Sequence, residues 1–406
     1  MGWPLAGYRL ASHALPLVAP ALLRRRLARG KEDPARWREK LGEATLPRPE
    51  GRLVWLHAVG LGEVLALRGL IGALAAAAPD LSFLVTSSAR SSAQALAGQL
   101  PPRTVHQFLP LDAPHYLARF LGHWRPALSV WAEQDLWPGA VAAADAAGVP
   151  LALVNARMNA AAYARRARAR GLYADLLSRF RLVAAQEDQT ASHLAALGAR
   201  DVRVTGSLKA AAPPLAADLA ALAAAQRMVQ GRRPWLLASS HPEDEAVALA
   251  AQAQLHAEDP AHLLILAPRD PARGGQIATI LPVARRAGPM GGAAVWVVDT
   301  VGEMGLWYRL CPVTLIGGTF GPIEGHNPWE PAALGSAILH GPRVANFAAD
   351  FGVLDGAGAA LPVTPGTLAA ALRADHRAMA ARAIALSQAA QGSLVPLAHD
   401  LLELMA

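Results

Sequence analysis

The chain has 406 residues, 53% of them hydrophobic and 17% charged, enough to bury a sizeable core and long enough for two domains. Its one cysteine, Cys311, excludes an intramolecular disulfide framework and a cysteine-built zinc site, and it fits a reducing compartment. The net charge of +7, with a pI of about 10.1, comes almost wholly from arginine, since Lys31, Lys40 and Lys209 are the only lysines. Such an excess asks for an anionic partner: a membrane surface or a phosphorylated substrate. Nucleic acid is disfavoured, because the chain carries no helix-turn-helix, finger or RNA-binding signature and its basic residues are not interleaved with aromatics.

Residues 4–23 are apolar but broken by Arg9, His13 and internal prolines, and Arg24, Arg25 and Arg26 follow at once. The stretch is short for a spanning helix and lacks the basic start of a signal peptide. Residues 1–30 are therefore expected to form a membrane-embedded or interfacial anchor, with the arginines on anionic headgroups. The plainer alternative is an amphipathic helix packed on the first domain. A β-α alternation then begins, with strands expected at 53–59, 81–86, 104–108, 128–132, 151–155, 182–186 and 202–205. Residues 210–232, Ala/Pro/Leu-rich with two adjacent prolines, read as a connection between a domain at 31–209 and one at 233–406. The alternation restarts with strands expected at 235–238, 263–267, 295–298, 313–316 and 337–339, and a long Ala-rich helix spans about 367–391. This pattern predicts an α/β chain of two Rossmann-like, doubly wound parallel sheets facing a cleft, with functional residues just after the strands.

The densest such segment is GGTFGPIEGHNPWEP, Gly317 to Pro331. Gly317 and Gly318 let backbone approach a ligand, while Asn327 reads as a helix N-cap with Pro328 at the first helical position and Glu330 three past the cap. Strand, glycine-rich loop and helix start together predict an anion site for a phosphate or nucleotide; a capping box between Glu330 and the Asn327 amide is the bland alternative. Ser239-Ser240-His241, Pro268-Arg269-Asp270 and Asp299-Thr300-Val301-Gly302-Glu303 close other strands of the same half, with Arg269 placed to pair with a phosphate. In the first half Glu63, beside Gly60 in HAVGLGE, either complements a helix dipole or faces the cleft as a general base. Glu133 and Asp135 at one strand exit suggest substrate positioning, and Arg157, with the following Arg165, Arg166, Arg168 and Arg170, reads as a solvated basic face or a seat for phosphate or lipid headgroups. Neither an Asp-x-Asp motif nor a tight His/Asp cluster is present, so the sequence requires no metal.

From about Trp37 onward the chain resembles the 3-deoxy-D-manno-octulosonic acid (Kdo) transferases of Gram-negative lipid A biosynthesis. The motifs, in order, are WLHAVGLGE, EQDLWPG, LVNARMN, VTGSLK, SSHPEDE, APRDP, DTVGE and GGTFGPIEGHNPWEPAALG. The resemblance implies a GT-B glycosyltransferase, inverting and metal-independent, at the cytoplasmic face of the inner membrane. It would transfer Kdo from CMP-Kdo to a lipid A precursor such as lipid IVA. It implies Glu63 as the base, with Gly60, Glu133, Asp135 and Arg157 on the acceptor side. It places CMP among Ser239, Ser240, Arg269, Gly302, Glu303, Gly317, Gly318, Asn327 and Glu330. The chain departs from the family at Gly60 (commonly Ser), at Gln134 and Asp135 within a usual Glu-Thr-Glu, at Glu243 (commonly Gly) and at Val301 (commonly Met). The Gly60 and Asp135 changes leave room for a GT-B transferase with another donor or acceptor. A membrane-bound nucleotide-sugar binder without turnover is the remaining alternative, against which Glu63, Arg269 and Glu330 stand together.

Overall fold

Alternate residues of the apolar runs face opposite sides of two sheets. In the first strand Val54 and Leu56 enter one core while Leu53 and Trp55 enter another. Near the middle of the chain Trp235 and Leu237 divide in the same way from Leu236 and Ala238. Burial on both faces is what a parallel strand between two helix layers requires. The computed structural model describes the chain apart from residues 1, 91–92, 94–99, 134–135, 281, 289 and 406.

Among the described residues the first sheet holds β1 (Leu53–His57), β2 (Ser82–Ser87), β3 (Thr104–Phe108), β4 (Leu128–Ala132), β5 (Leu151–Ala156), β6 (Leu182–Ala185) and β7 (Val202–Val204). The second holds β8 (Arg233–Ser240), β9 (His262–Pro268), β10 (Ala284–Arg285), β11 (Val295–Val297), β12 (Val313–Ile316), β13 (Ala337–His340) and β14 (Ala360–Pro362). Their orders are β3-β2-β1-β4-β5-β6-β7 and β10-β11-β9-β8-β12-β13-β14, and every pairing is parallel. Strand order reverses between β1 and β4 in one sheet and between β8 and β12 in the other. A crevice therefore opens at the carboxyl ends of those pairs.

The chain divides into two compact units, Met1–Ala212 with Ala390–Ala406, and Pro213–Ala389. Three expected boundaries change. The C-terminal segment returns to the first unit: Leu394, Leu397, Ala398 and Leu401 are buried in the same core as Val64, Leu67, Leu70, Ile71 and Leu74, a helical spacing that gives one apolar stripe. Residues 210–232 are not a bare connection, because a helix at Leu219–Met228, capped by Asp218, buries Ala225 in the core that holds Ile265 and Trp307. The long C-terminal helix is broken into Leu368–Leu372 and Arg377–Gly392. There the Asp375 carboxylate accepts the Arg377 N–H at 3.0 Å, a side-chain bond that competes with continuing the helix.

The N-terminal segment carries two helices, Trp3–Ser12 and Leu15–Ala28. Leu5 lies in the first unit's core, Ala19 and Leu23 pack with Leu41 and Tyr116, and the Tyr8 hydroxyl donates to Asp112 at 2.6 Å. Trp3, Leu10, Leu17, Val18 and Leu22 are exposed. No helix among the described residues is long and apolar enough to cross a membrane. The amphipathic packing offered as the plainer alternative is thus present, with an apolar face left outside it.

Candidate active site

In the first unit the crevice between β1 and β4 is acidic and carries one lysine. Gly60 caps the helix Leu61–Ala77 that follows β1, and Glu63 turns back so that Oε2 accepts the N–H groups of Val59 at 3.1 Å and Gly60 at 3.2 Å. A Cβ at Gly60 would lie 3.3 Å from Glu63 Oε1, so any side chain there would touch the carboxylate. Burial raises the Glu63 pKa from its ordinary value, and the negative charge of Glu133 adds to this; the two amides and Lys209 oppose it. Glu133 leaves β4 with φ 62, pairs with Lys209 Nζ at 2.9 Å and accepts Asn155 Nδ2 at 3.3 Å. Asn155, also left-handed, ties the exits of β5 and β6 to the Lys209 segment: its Oδ1 accepts from Gln186 Nε2 and the Leu208 N–H, each at 2.9 Å.

Glu63 and Glu133 are therefore close enough to interact electrostatically, and Lys209 and Asn155, which carry no role in the sequence reading, join them. Arg157 follows β5 and lines a small hollow with Glu133, Met158 and Tyr173. Of the basic run, Arg166 lies over the Tyr173 ring at 5.6 Å, and Arg165, Arg168 and Arg170 are exposed. Asp135 lies outside the described residues. His57 belongs to the sheet interior: Nδ1 meets Thr86 Oγ1 at 2.9 Å, and burial lowers its pKa to about 3.

In the second unit the exits of β8 and β12 are locked together. A Cβ on Gly317 would stand 2.3 Å from the Ser239 carbonyl oxygen, so only glycine fits. Ser239 has φ 55. Ser240 is buried and its hydroxyl donates to Glu245 at 3.2 Å, which binds Arg273 at 2.8 Å. The fully buried Asp244 accepts four backbone N–H groups: Gly318 at 2.6 Å, Thr319 at 3.1 Å, Phe320 at 3.1 Å and His241 at 2.9 Å.

This corrects the reading of the glycine-rich loop. The anion cradled by the amides of residues 318–320 is the chain's own Asp244. Nor does a long helix follow. Its span is only Trp329–Ala332, with Pro328 as the capping residue, so no macrodipole points at the loop. Asn327 instead closes a local turn, accepting the Trp329 N–H at 3.1 Å, and its Nδ2 donates to Glu330 Oε1 at 3.4 Å. Burial raises the Glu330 pKa, against its bonds to Asn327 and Tyr308 and the charge of Arg269.

Arg269 is exposed after β9 and acts electrostatically on both Glu330 and His326. Ser239, Ser240, Arg269, Gly317, Gly318, Asn327 and Glu330 thus share one end of the sheet. Gly302 and Glu303 follow β11, which β9 separates from β8. Glu303 pairs with Arg286 at 3.1 Å; burial alone would raise it, yet the bonds to Arg286 and Thr300 hold it below the usual range. Among the described residues no group of three or more His, Cys, Asp or Glu could hold a metal ion.

Two α/β units, each wound on a parallel seven-stranded sheet, make the GT-B architecture of glycosyltransferases. Similar solved structures share the fold. A UDP-GlcNAc 2-epimerase from Neisseria meningitidis, bound to UDP-GlcNAc, covers 85% of this chain and 100% of its own at TM-score 0.56 and 12% identity. A trehalose 6-phosphate synthase from Burkholderia multivorans covers 87% and 97% at TM-score 0.52 and 11% identity. Residues 35–212 match the family described as 3-deoxy-D-manno-octulosonic-acid transferase (kdotransferase). A probable mitochondrial 3-deoxy-D-manno-octulosonic acid transferase of Arabidopsis thaliana is 32% identical over 84% of this chain and 80% of its own. The 3-deoxy-D-manno-octulosonic acid transferase of Rickettsia bellii is 31% identical over 78% and 77%. The chain belongs to the Kdo transferase family, and it is a glycosyltransferase.

Proposed function

We propose that this enzyme moves Kdo from CMP-Kdo to a lipid A precursor, lipid IVA, in lipopolysaccharide synthesis, with inversion and with Glu63 as general base. The observation that carries the reading is the half-buried Glu63 carboxylate, fixed by two amides at the β1 exit and raised in pKa beside the Glu133–Lys209 pair. A carboxylate whose pKa is raised is the stronger base and suits removal of a hydroxyl proton. Glu63 takes that proton as the acceptor oxygen attacks the anomeric carbon of Kdo. The bond to the CMP phosphate oxygen breaks on the opposite face, and its electron pair leaves with CMP. CMP is a good leaving group, so the protein's task is positioning and charge stabilisation.

The second unit holds CMP: Arg269 meets the phosphate, while Ser239, Ser240, Gly302, Glu303, Gly317, Gly318, Asn327 and Glu330 line the nucleotide's place. Given the Asp244 clamp, the loop glycines act by close packing, and donation to the phosphate falls to side chains. Gly60, Glu133, Asp135 and Arg157 face the acceptor. No metal is needed in this mechanism. The exposed Trp3, Leu10, Leu17, Val18 and Leu22, beside Arg24 and Arg25, lie on anionic headgroups at the cytoplasmic face of the inner membrane.

Mass spectrometry of lipid IVA incubated with CMP-Kdo and the protein tests the assignment. A gain of one or more Kdo units is expected. A protein that binds CMP but gives no gain would move the reading to another donor or acceptor, or to a binder without turnover.

The acid limb of the kcat/KM profile reports ionisation of Glu63 in the free enzyme. Glu133→Gln removes a charge that raises the Glu63 pKa, so the limb is expected at lower pH. Lys209→Met removes a charge that lowers it and leaves Glu133 without its ion-pair partner, so the limb is expected at higher pH. Profiles moving in the same direction would refute the coupling.

A further inference from the structure

We propose that His241 and His326 form a proton-sharing pair that takes up one proton when the donor's phosphate arrives, and whose single positive charge, with Arg269, holds the departing nucleotide. This rests on the reading that the second unit binds CMP.

The two Nε2 atoms are 2.9 Å apart, with ring planes at 13° and centroids 5.2 Å apart. Face-to-face stacking would not bring two ring atoms so close, so the rings meet edge to edge through an N–H···N hydrogen bond. Backbone fixes both residues. His241 caps the helix Pro242–Glu258 with its N–H on Asp244. His326 follows Gly325, which has φ 92 and donates to the Gly318 carbonyl at 2.8 Å.

Proton counting then limits the charge. Two neutral imidazoles share one proton on the facing edge. A third ring proton, on an outer Nδ1, leaves that bond intact and strengthens it by charge. A fourth would set two N–H groups against each other. The pair therefore accepts one positive charge and resists two.

The surrounding groups decide when the charge appears. Arg269, from the β9 exit, faces His326; burial first, then His241 and Arg269, lower the His326 pKa to about 4. Glu330 faces Arg269 and is bonded to Asn327 and Tyr308. Asp244 is committed to backbone amides, Glu245 to Arg273 and Ser240. Glu243 lies toward Gly321, where a Cβ would meet its Oε2 at 2.8 Å. Asp270 lines the same hollow as His241 and Arg269 but is exposed and accepts the Ala272 N–H at 3.0 Å. An arriving phosphate adds an anion there: it offsets Arg269 and favours the imidazolium. When the bond from the anomeric carbon to the phosphate oxygen breaks, the phosphate gains a second negative charge, which the cationic pair faces. The proton comes from solvent on binding and returns to it as CMP leaves.

Calorimetry of CMP binding in buffers of different ionisation enthalpy tests this at about pH 8, above the phosphate's second pKa of about 6. Because a facing opposite charge moves a pKa by about 1–3, uptake of a fraction of a proton per CMP, growing as the pH is lowered from about 8 toward about 7, is expected for the wild type. The uptake is expected to vanish in His241→Asn and His326→Asn and to persist in Glu330→Gln. ¹⁵N-histidine spectra of the wild type, needing no variant, should show ring nitrogens of two histidines moving toward imidazolium on CMP addition. Binding without uptake, unmoved histidine signals, or uptake surviving both substitutions would overturn the pair while leaving the donor reading intact. Absence of CMP binding by the wild type would remove the donor reading, and the pair with it.

Discussion

Glu63→Gln is expected to lower kcat by about 10²- to 10⁴-fold, the range for loss of a general base, while CMP binds as before. Two roles for Glu63 compete, and this substitution separates them. As a helix-start residue Glu63 only needs an oxygen to accept the N–H groups of Val59 and Gly60, which the glutamine carbonyl supplies. As a base it needs a carboxylate that takes a proton, which an amide cannot do. The magnitudes also differ: losing a cap costs about 0.5–2 kcal/mol of stability, whereas the expected rate loss is about 3–5 kcal/mol in the barrier. Steady-state kinetics beside thermal unfolding and CMP calorimetry read all three quantities. A glutamine variant that is as stable as the wild type and keeps its kcat would discard Glu63 as the base.

The doubly wound fold is legible because parallel strands buried on both faces leave mostly apolar runs, and the runs at β1, β9 and β12 are of that kind, interrupted only by His57, His262 and Thr314. β10 and β14 were missed because two or three residues, one of them Arg285 and another Pro362, give no pattern to read. Glu63 and Glu133 were placed by their position after strands. Lys209 was not, although it ends a motif noted in the sequence, because its partner lies 76 positions earlier and only the sheet brings them together. Asp244 was hidden differently. In the first turn of a helix an acid reads as a dipole complement, and nothing local reveals that its oxygens serve amides more than 70 residues ahead. The loop of Gly317 and Gly318 did announce an anion; that the chain supplies its own is a fact of tertiary structure.

Asp244→Ala is therefore expected to be the most damaging substitution in the second unit. Each Asp244 oxygen accepts two N–H groups: Oδ2 those of Gly318 and His241, Oδ1 those of Thr319 and Phe320. Unsatisfied buried donors cost about 1–3 kcal/mol each, so leaving even two unpaired approaches the lower end of a domain's total stability of about 5–15 kcal/mol. Asparagine is no rescue, since its NH₂ would face two N–H donors wherever it points. Amide hydrogen exchange at residues 317–320 should accelerate in both variants, with CMP affinity falling alongside. The direction of the affinity change carries the argument. If these amides were a phosphate site that Asp244 merely blocks, freeing them would tighten CMP binding. If Asp244 holds the β8 and β12 exits so that His241, His326 and Arg269 converge, freeing them weakens it. Tighter binding by a folded Asp244→Ala protein would return the glycine-rich loop to the phosphate.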